Sequence, residues 1–355
     1  FLNPSPGKVL RVLICLLLSL LPVSGLAQDD FWSTSVFLEN DLFANTDMSY
    51  TNGVRLSWIS PDVDEFMDVQ GRSYPWVARL NQSLEFLHPR QDNTTAVRNV
   101  TINVGQLMFT PADRLRSSLD PDDRPYAGWL YLGIGYQARS ENTLHAVEVN
   151  LGVVGPAALA RQSQNAVHNL MDIEEFRGWH NQLKNEPGLQ VAFERKHRHG
   201  SLPVLPDNAI QLDLITHWGG SLGNIRTDIN AGAEVRLGRN LPLDFGASSL
   251  RPGGDTNSPG RPDVDNRLWQ WHGFIATNAR AVARNIFLDG NTFRRSHSVD
   301  RKTLVADTAI GFTLARKRWR LTYAHVYRTR EFTGQQEPQL YGALTLTYSR
   351  NLGAP

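Results

Sequence analysis

The feature that most constrains this chain is a two-residue alternation of apolar and polar side chains, which recurs from Phe31 almost to the C-terminus. In residues 100–104, for example, valine and isoleucine alternate with threonine and asparagine. Successive side chains of a β-strand point to opposite faces of the sheet, so each such segment predicts a strand with one apolar and one polar face. Many of these segments are longer than the strands of soluble sandwiches, which typically have about 5 to 6 residues.

Strands that cross a lipid bilayer need about 10 residues each, and their apolar face turns outward to the lipid. About twelve segments of this chain alternate, many of them over eight or more residues, and aromatic residues lie near several of their ends, as in the aromatic girdles of membrane barrels. These aromatic residues are Trp58, Trp129, Tyr136, Trp319 and Tyr348. We therefore predict an all-β fold, a twelve-stranded antiparallel transmembrane β-barrel, with a soluble β protein as the alternative.

The composition is compatible with such a barrel. The 355 residues have a mean hydropathy of −0.34, which excludes a membrane protein built from several apolar helices. The same value does not exclude a barrel that is apolar only at every second position. The formal net charge of +1 argues against a nucleic-acid partner held by an overall positive field.

The one continuous apolar run lies near the N-terminus, where residues 12–21 are almost all Leu, Ile and Val. Lys8 and Arg11 precede this run, and small residues follow it, which is the layout of a secretory signal peptide. We assign residues 1–27 to the signal peptide, with an uncleaved anchor as the alternative. Residues 28–355 then form one barrel domain, without cysteine, whose net charge is −1 because two basic residues leave with the signal.

Two segments have helical rather than alternating spacing. The shorter one covers residues 75–87 and lies between the second and third predicted strands. The longer one covers residues 157–183 and contains no Gly or Pro before Gly178, so we predict an amphipathic helix in a loop. Its apolar stripe comprises Val167, Leu170, Met171 and Ile173.

Two short motifs suggest enzymatic chemistry but fit a barrel better. Residues 219–223 match the G-x-S-x-G nucleophile motif, yet the alternation after them predicts a strand instead of the helix that this motif requires. Residues 133–138 match a G-x-G-x-x-A dinucleotide pattern, but no helix follows to bind a pyrophosphate. We interpret the first as a glycine-rich hairpin turn and the second as glycines that make room inside the barrel.

A polar cluster at the first hairpin is harder to explain by structure alone. Strand one ends with Asn40 and Asp41, and strand two begins near Thr51, so an amide, a carboxylate and a hydroxyl are expected close together at one rim. Turn formation is the alternative explanation for these residues. Carboxylate and amide oxygens are hard ligands that suit Ca²⁺.

The predicted loop helix carries a second polar group. Gln164, His168 and Asp172 follow one another at four-residue spacing and therefore form one polar line along the helix. An imidazole near metal-binding oxygens can serve as a general base. A histidine that is only solvated or packed is the alternative.

Several longer motifs occur together in one order. They are Glu39-Asn40-Asp41, Tyr50-Thr51-Asn52-Gly53, Gly105-Gln106 with Thr110-Pro111, Asp123-Arg124-Pro125-Tyr126-Ala127-Gly128, and residues 151–156 followed by Gln164-Asn165 and His168. In this combination the chain resembles the outer-membrane lipid A deacylase family, the lipid A 3′-O-deacylases. The resemblance covers most of the mature chain and is densest from Phe37 to Trp179.

The resemblance implies a twelve-stranded barrel whose active site lies near the outer rim, between the barrel wall and a helix from an extracellular loop. It also implies Ca²⁺-dependent hydrolysis of the 3′ acyloxyacyl chain of lipid A, so lipid A or lipopolysaccharide in the outer membrane is the expected substrate. By motif, His168 would activate water as general base, while Ca²⁺, held in part by Asp41, would polarise the ester carbonyl and stabilise the oxyanion. The remaining implied site residues are Asn40, Thr51 and Gln164, which would position water or substrate, and Glu174.

Two positions depart from the family pattern. Where the family has a lysine after strand three, the spacing leads to Arg116, which can bind a phosphate or sugar bidentately but does not simply replace a lysine point charge. Glu174 follows His168 by about 600° of rotation on an unbroken helix and would face away from it. Either the helix bends near Asp172 or Glu174 acts indirectly.

Together these features predict a monomeric outer-membrane barrel that hydrolyses an ester of lipid A. The alternative from another functional class is a non-enzymatic barrel, with a structural or binding role, that keeps the fold without the chemistry. Convergence of Asp41, Thr51 and His168 at one rim would favour the enzyme.

Overall fold

The structure, a computed structural model, describes residues 33–40, 50–60, 83, 97–205, 210–246 and 269–349. Twelve strands in these residues close into one antiparallel barrel, in which sequence neighbours pair and β1 pairs with β12. The strands are β1 (Ser33–Asn40), β2 (Tyr50–Ile59), β3 (Val97–Phe109), β4 (Ala127–Arg139), β5 (Thr143–Val154), β6 (Glu186–Pro203), β7 (Gln211–Gly223), β8 (Arg226–Arg239), β9 (Gln270–Asn285), β10 (Leu304–Arg316), β11 (Trp319–Arg328) and β12 (Gln339–Ser349). The predicted twelve-stranded barrel is therefore confirmed.

Two helices lie in the connections between strands. Helix α1 (Ala160–Met171) follows β5, and helix α2 (Ile286–Asp289) follows β9. Both lie at the end of the barrel where the β3–β4 and β11–β12 connections also lie, which we call the loop rim; β1 begins and β12 ends at the opposite, terminal rim. Within the part of the chain that the structure describes, no helix is both apolar enough and long enough to span a membrane.

Two predictions fall largely on residues outside those that are described. The predicted signal peptide, residues 1–27, lies entirely outside them and stays a prediction. Of the predicted helix over residues 75–87, only Ser83 is described, and it is helical.

The alternation of the sequence separates the two faces of the barrel wall. On β4, Leu132 and Ile134 face outward and are 51% and 49% exposed, whereas Tyr131 and Gly133 between them face the lumen and are buried. Other outward apolar side chains continue this belt around the wall, including Val104, Leu151, Leu189, Leu214, Leu222, Ile229, Val235, Ile275, Ile310, Phe312 and Leu321. Such a belt is the surface that a lipid bilayer covers in a membrane barrel.

The aromatic girdle is only partly as predicted. Trp319 is half exposed at the terminal rim and packs against Tyr348, with 4.9 Å between ring centroids. Trp129 instead faces the lumen and stacks on Tyr131 at 4.3 Å, so its assignment to an outer girdle is wrong. Both faces of β4 carry apolar residues or glycine near this position, and alternation alone cannot tell which of two such faces is the outer one.

Charged side chains fill the lumen as hydrogen-bonded ion pairs. Arg55 donates to Glu148 at 2.7 Å, and both side chains are about 5% exposed. Further along the barrel, Arg328 donates to Asp307 at 2.7 Å, and Arg280 contacts the same carboxylate at 2.8 Å. A buried charge is tolerated only when it is paired in this way.

Side chains of the described residues pack together at both ends of the lumen. At the loop rim, Phe287 of α2 stacks on Phe109 with 4.1 Å between ring centroids, inside an apolar core. At the terminal rim, Asp244 projects from the β8–β9 connection and pairs with Arg236 and Arg320. Aromatic packing therefore occupies the lumen at the loop rim, and ion pairs occupy it at the terminal rim.

The two misleading sequence motifs both lie in strands. Residues 219–223 end β7, and the turn itself is Asn224–Ile225, one step later than predicted. Gly133 of the dinucleotide-like motif faces the lumen, where a Cβ would come within 2.2 Å of the Asn150 side chain. The interpretation that these glycines make room inside the barrel is confirmed.

Candidate active site

Helix α1 packs against the outer face of the barrel wall, at the loop rim. Gly128 at the start of β4 faces outward, and a Cβ at this position would lie 2.5 Å from the Cβ of Ala160. Next to it on β3, the Gln106 amide donates to the carbonyl oxygen of Ala158 at 2.6 Å. These two contacts fix the beginning of the helix on β3 and β4.

Local backbone geometry determines where α1 begins and ends. Before it, Gly155 has a φ of 101° and Leu159 has a φ of 58°, and together they turn the chain from β5 back over the wall. The helix ends at Asp172, whose φ of 56° is left-handed, and the N–H of Ile173 donates to the carbonyl of His168. The prediction of one helix over residues 157–183 is therefore wrong in length. An aspartate can adopt the left-handed conformation, so a helix can end without a glycine or proline.

The buried face of α1 contains two polar residues. Ala160, Gln164 and His168 occupy it at four-residue spacing, and the last two are each only 2% exposed. Leu170, from the predicted apolar stripe, is 56% exposed. The buried side of the helix therefore carries its polar line, and Leu170 of the apolar stripe faces away from it.

His168 is held in one tautomer. Its Nδ1 lies 2.9 Å from the carbonyl oxygen of Glu174, and because a carbonyl can only accept, Nδ1 carries the proton when the ring is neutral. The lone pair is then on Nε2. The ring is buried and packs against Phe176, with 5.6 Å between centroids. A buried imidazole with a fixed tautomer and a basic Nε2 is the arrangement that a general base needs.

The side chain of Glu174 does not take part in this contact. It points to solvent and pairs with Arg177 at 2.7 Å, where both side chains are about half exposed. Only the Glu174 backbone carbonyl orients His168, which follows from the helix ending at Asp172. Of the two explanations left open by the sequence, this geometry favours an indirect role.

The neighbouring Glu175 is the carboxylate that holds this turn. It accepts hydrogen bonds from the side-chain amides of Asn165 at 2.5 Å and Asn169 at 3.1 Å, both on α1. The segment that carries the Glu174 carbonyl is thereby tied to the helix that carries His168. Glu175 was not among the predicted site residues, although its partner Asn165 belongs to one of the motifs that carry the resemblance.

Gln164 is fixed from the other side by Trp179. The indole Nε1 donates to Gln164 Oε1 at 2.7 Å, and both residues are buried. Trp179 itself packs against Tyr126, with 5.1 Å between ring centroids. Burial raises the pKa of Tyr126 to about 12, so its hydroxyl stays protonated. Nothing in the local sequence around Trp179 indicated that it contacts Gln164.

The end of β1 and the contact of α1 with the wall at Gly128 lie in one row of outward-facing residues, which crosses β1 to β4. Asn40 pairs with Asn52 of β2, Asn52 with Met108 of β3, and Met108 with Gly128 of β4. Directly opposed residues share a face, so all four face outward. At about 4.8 Å between strands, Asn40 is about 10 Å along the wall from Met108, which packs in the same apolar cluster as Ala160.

Two of the predicted site residues cannot be placed by their side chains. Asp41 and the side chain of Thr51 lie outside the described residues, so convergence of Asp41, Thr51 and His168 stays a prediction. Among the described residues, no group of three or more His, Cys, Asp or Glu side chains could hold a metal ion. Asn40 and Asn52, which oppose each other in this row, both carry side-chain amides, and Asp41 is the next residue after Asn40 in the sequence.

Comparison with known proteins identifies the family. The sequence model of the family described as outer membrane protein LpxR matches residues 12–350. The chain belongs to the LpxR family. This is the outer-membrane lipid A deacylase family that the motifs resemble, and it places the barrel in the outer membrane.

Solved structures agree with this assignment at the level of the fold. LpxR from Salmonella typhimurium superposes with a TM-score of 0.67 at 16% identity, over 90% of this chain and 100% of that one. The β domain of the Bordetella autotransporter BrkA gives a TM-score of only 0.44 at 7% identity, over 91% and 100% of the two chains, which is too low to inform on function. No curated protein sequence matches the chain.

Arg116 stands where the resemblance to the LpxR family leads one to expect a lysine. Its guanidinium pairs with Asp120 at 2.5 Å, and its side chain is 39% exposed. It lines a small cavity at the loop rim together with Arg124, His297 and Tyr126. An exposed pair of this kind contributes little stability, so Arg116 can exchange Asp120 for an anionic group of a ligand at small cost.

Proposed function

We propose that the chain is a Ca²⁺-dependent esterase that hydrolyses the 3′-linked acyloxyacyl chain of lipid A in the outer membrane. Membership of the LpxR family supports lipid A as the substrate. The observation that carries the proposal is the buried His168, whose Nδ1 donates to the Glu174 carbonyl and whose Nε2 is left as a base.

The position of His168 on the outer side of the wall suits a membrane lipid. Away from the rim, the same outward face of β3 and β4 continues into the exposed apolar side chains Val104 and Leu132. Acyl chains of a lipid in the bilayer can lie along this surface, outside the barrel, with the ester near α1. The substrate therefore reaches the site by lateral movement in the membrane.

Ester hydrolysis at this site requires one group that first accepts and then donates a proton. His168 Nε2 takes a proton from a water molecule, and the hydroxide attacks the ester carbonyl carbon to form a tetrahedral oxyanion. The intermediate collapses by breaking the bond to the sugar oxygen, and the Nε2 proton moves to that oxygen as it leaves. A positioned general base of this kind contributes about 10²- to 10⁴-fold to the rate.

The residues at the ends of β1 and β2 fit a calcium ion by their donor chemistry. Asn40 and Asn52 share an outward row at the rim, and amide oxygens, together with the carboxylate that follows in Asp41, are the hard ligands that Ca²⁺ prefers. We propose that Asp41 helps to hold the ion and that Asn40 and Thr51 position water or substrate beside it. When bound, the ion would supply Lewis-acid polarisation of the ester carbonyl.

The decisive experiment measures lipid A by mass spectrometry after expression in a Gram-negative host that lacks this activity. We expect the wild type to shorten lipid A by one 3′ acyloxyacyl group, and His168→Ala to reduce the conversion by at least about 100-fold. His180→Ala is the matched control, because His180 is exposed in the same loop, and it should act like the wild type. Unchanged lipid A with folded wild-type protein and Ca²⁺ present would leave only the non-enzymatic barrel.

The calcium part of the proposal has its own test. We expect a chelator to stop conversion in isolated membranes and added Ca²⁺ to restore it, with Asp41→Asn needing more Ca²⁺ than the wild type. Asp300→Asn, which removes an exposed carboxylate at the same rim, should show the wild-type requirement. Full activity in the presence of chelator would refute the metal requirement without touching the role of His168.

A further inference from the structure

The amide of Gln164 is held in one of its two orientations. An indole N–H can only donate, so its partner atom on Gln164 must be the oxygen, at 2.7 Å. The Nε2 amino group then points to the other side of the side chain. It is buried and has no hydrogen-bond partner among the described residues. A buried donor without a partner is unfavourable, and it indicates a place where an acceptor binds.

The unpaired donor lies close to the proposed base. Gln164 and His168 are one helical turn apart on the buried face of α1, so their Cβ atoms are about 5 to 6 Å from each other. An ester whose carbonyl carbon is attacked by water on His168 would place its carbonyl oxygen within reach of this amino group. That oxygen gains negative charge during the attack, and a preorganised donor stabilises it.

We infer that Trp179 is a positioning residue, which holds the Gln164 amide so that its amino group donates to the carbonyl oxygen of the bound ester. This inference rests on the proposed esterase function. Trp179 lies outside the predicted site. Its indole determines whether Gln164 presents a donor or an acceptor to the reacting carbonyl. If the amide were turned over, its oxygen would face the developing negative charge and repel it.

The surroundings of Trp179 explain why the indole can impose this choice. Trp179 is 1% exposed and packs against Tyr126. The residue before it, Gly178, lies so close to the Tyr126 ring that a Cβ there would come within 2.5 Å of it. The indole therefore cannot turn away from Gln164 without displacing Tyr126, whose backbone carbonyl also accepts from Leu183.

A double-mutant cycle on the lipid A reaction tests the inference. Trp179→Phe keeps an aromatic ring but removes the N–H, and we expect kcat to fall about 3- to 10-fold with KM within twofold, because the bond acts in the transition state. In a Gln164→Met background, the same change should cost less than twofold. An equal further loss in that background would overturn the inference, since it would show that Trp179 acts only through packing.

Trp129→Phe is the matched control, because Trp129 is also buried and its Nε1 has no partner among the described residues. This variant loses the same indole volume inside the barrel, and we expect wild-type kcat. If Trp129→Phe lowers kcat as much as Trp179→Phe does, the loss reflects general destabilisation and the inference fails. Each variant is first checked for folding by the heat-dependent shift of the barrel on a denaturing gel.

Gln164→Glu decides the question even if Trp179→Phe does not fold. The carboxylate can still accept from the indole, but it presents an oxygen where the amide presents its amino group. We expect kcat to fall about 10²- to 10³-fold, the usual cost of losing one donor to an oxyanion. Activity within twofold of the wild type would overturn the donor role. An inactive wild type would instead refute the proposed function itself, so the two failures are distinguishable.

Discussion

The contact between Gly128 and Ala160 predicts that one methyl group on the barrel wall will disable the site. In Gly128→Ala, the new Cβ would lie 2.5 Å from the Cβ of Ala160, whereas carbon atoms in contact are about 3.5 Å or more apart. The strand is fixed by hydrogen bonds to β3 and β5, so the helix must move outward by about 1 Å. A displacement of about 1 Å at a catalytic group can cost about 100-fold in rate. We therefore expect kcat/KM to fall about 10- to 100-fold.

The assay is the rate of lipid A conversion in membranes, with the amount of folded barrel measured on a denaturing gel. Folding should be retained, since overpacking costs about 1 to 3 kcal/mol and the wall is held by twelve strand pairings. Ala160→Gly in the same chain removes the opposing Cβ and should restore most of the activity. Gly273→Ala is the control, because its nearest atom would be 3.9 Å away. Wild-type activity of Gly128→Ala would refute the claim that this contact positions His168.

Two further predictions concern carboxylates at the loop rim. Burial alone would raise the pKa of Glu331, but Arg124, whose guanidinium is 2.7 Å away, lowers it to about 2. The pair therefore stabilises the fold fully above about pH 4.5 and loses this contribution as the pH falls towards 2. We expect Glu331→Gln to unfold at a lower temperature than the wild type at neutral pH and to lack this acid dependence. Thermal unfolding measured between about pH 7 and 2.5 checks both results. Glu175→Ala frees the turn that orients His168 and should lower kcat/KM about fivefold or more. Glu174→Ala keeps the backbone carbonyl that contacts His168. A larger loss in Glu174→Ala than in Glu175→Ala would refute the role of Glu175 in holding the turn.

The barrel could be predicted because the two-residue alternation that produces it is visible directly in the sequence. On β4, the alternation of Leu132 and Ile134 with Tyr131 and Gly133 reflects lipid on one side and a crowded lumen on the other. Such a pattern depends only on period, and it repeats in every strand. The period does not identify the outer face, as Trp129 shows, because the lumen at the loop rim is apolar as well.

For the site, the sequence predicted which residues take part but not which groups they contact. His168 and Gln164 were found because they lie on one line of a helix and belong to motifs shared with a family. Their partners could not be found in this way. Trp179 and the Glu174 carbonyl reach them only because α1 ends at Asp172 in a left-handed conformation and the chain folds back, and no periodicity encodes that reversal.

The separation between lumen and site has a consequence for how this protein tolerates change. The ion pairs that fill the barrel, such as that of Arg55 with Glu148, lie inside the wall, whereas α1 and its polar face lie outside it. Breaking a buried pair leaves an uncompensated charge and costs about 3 to 5 kcal/mol, so changes in the lumen act on stability. Changes at Gln164, His168 or Trp179 remove few contacts of the wall itself. The barrel can therefore keep its fold while its outer helix gains or loses activity, and a non-enzymatic relative with the same barrel would be expected to differ first along this helix.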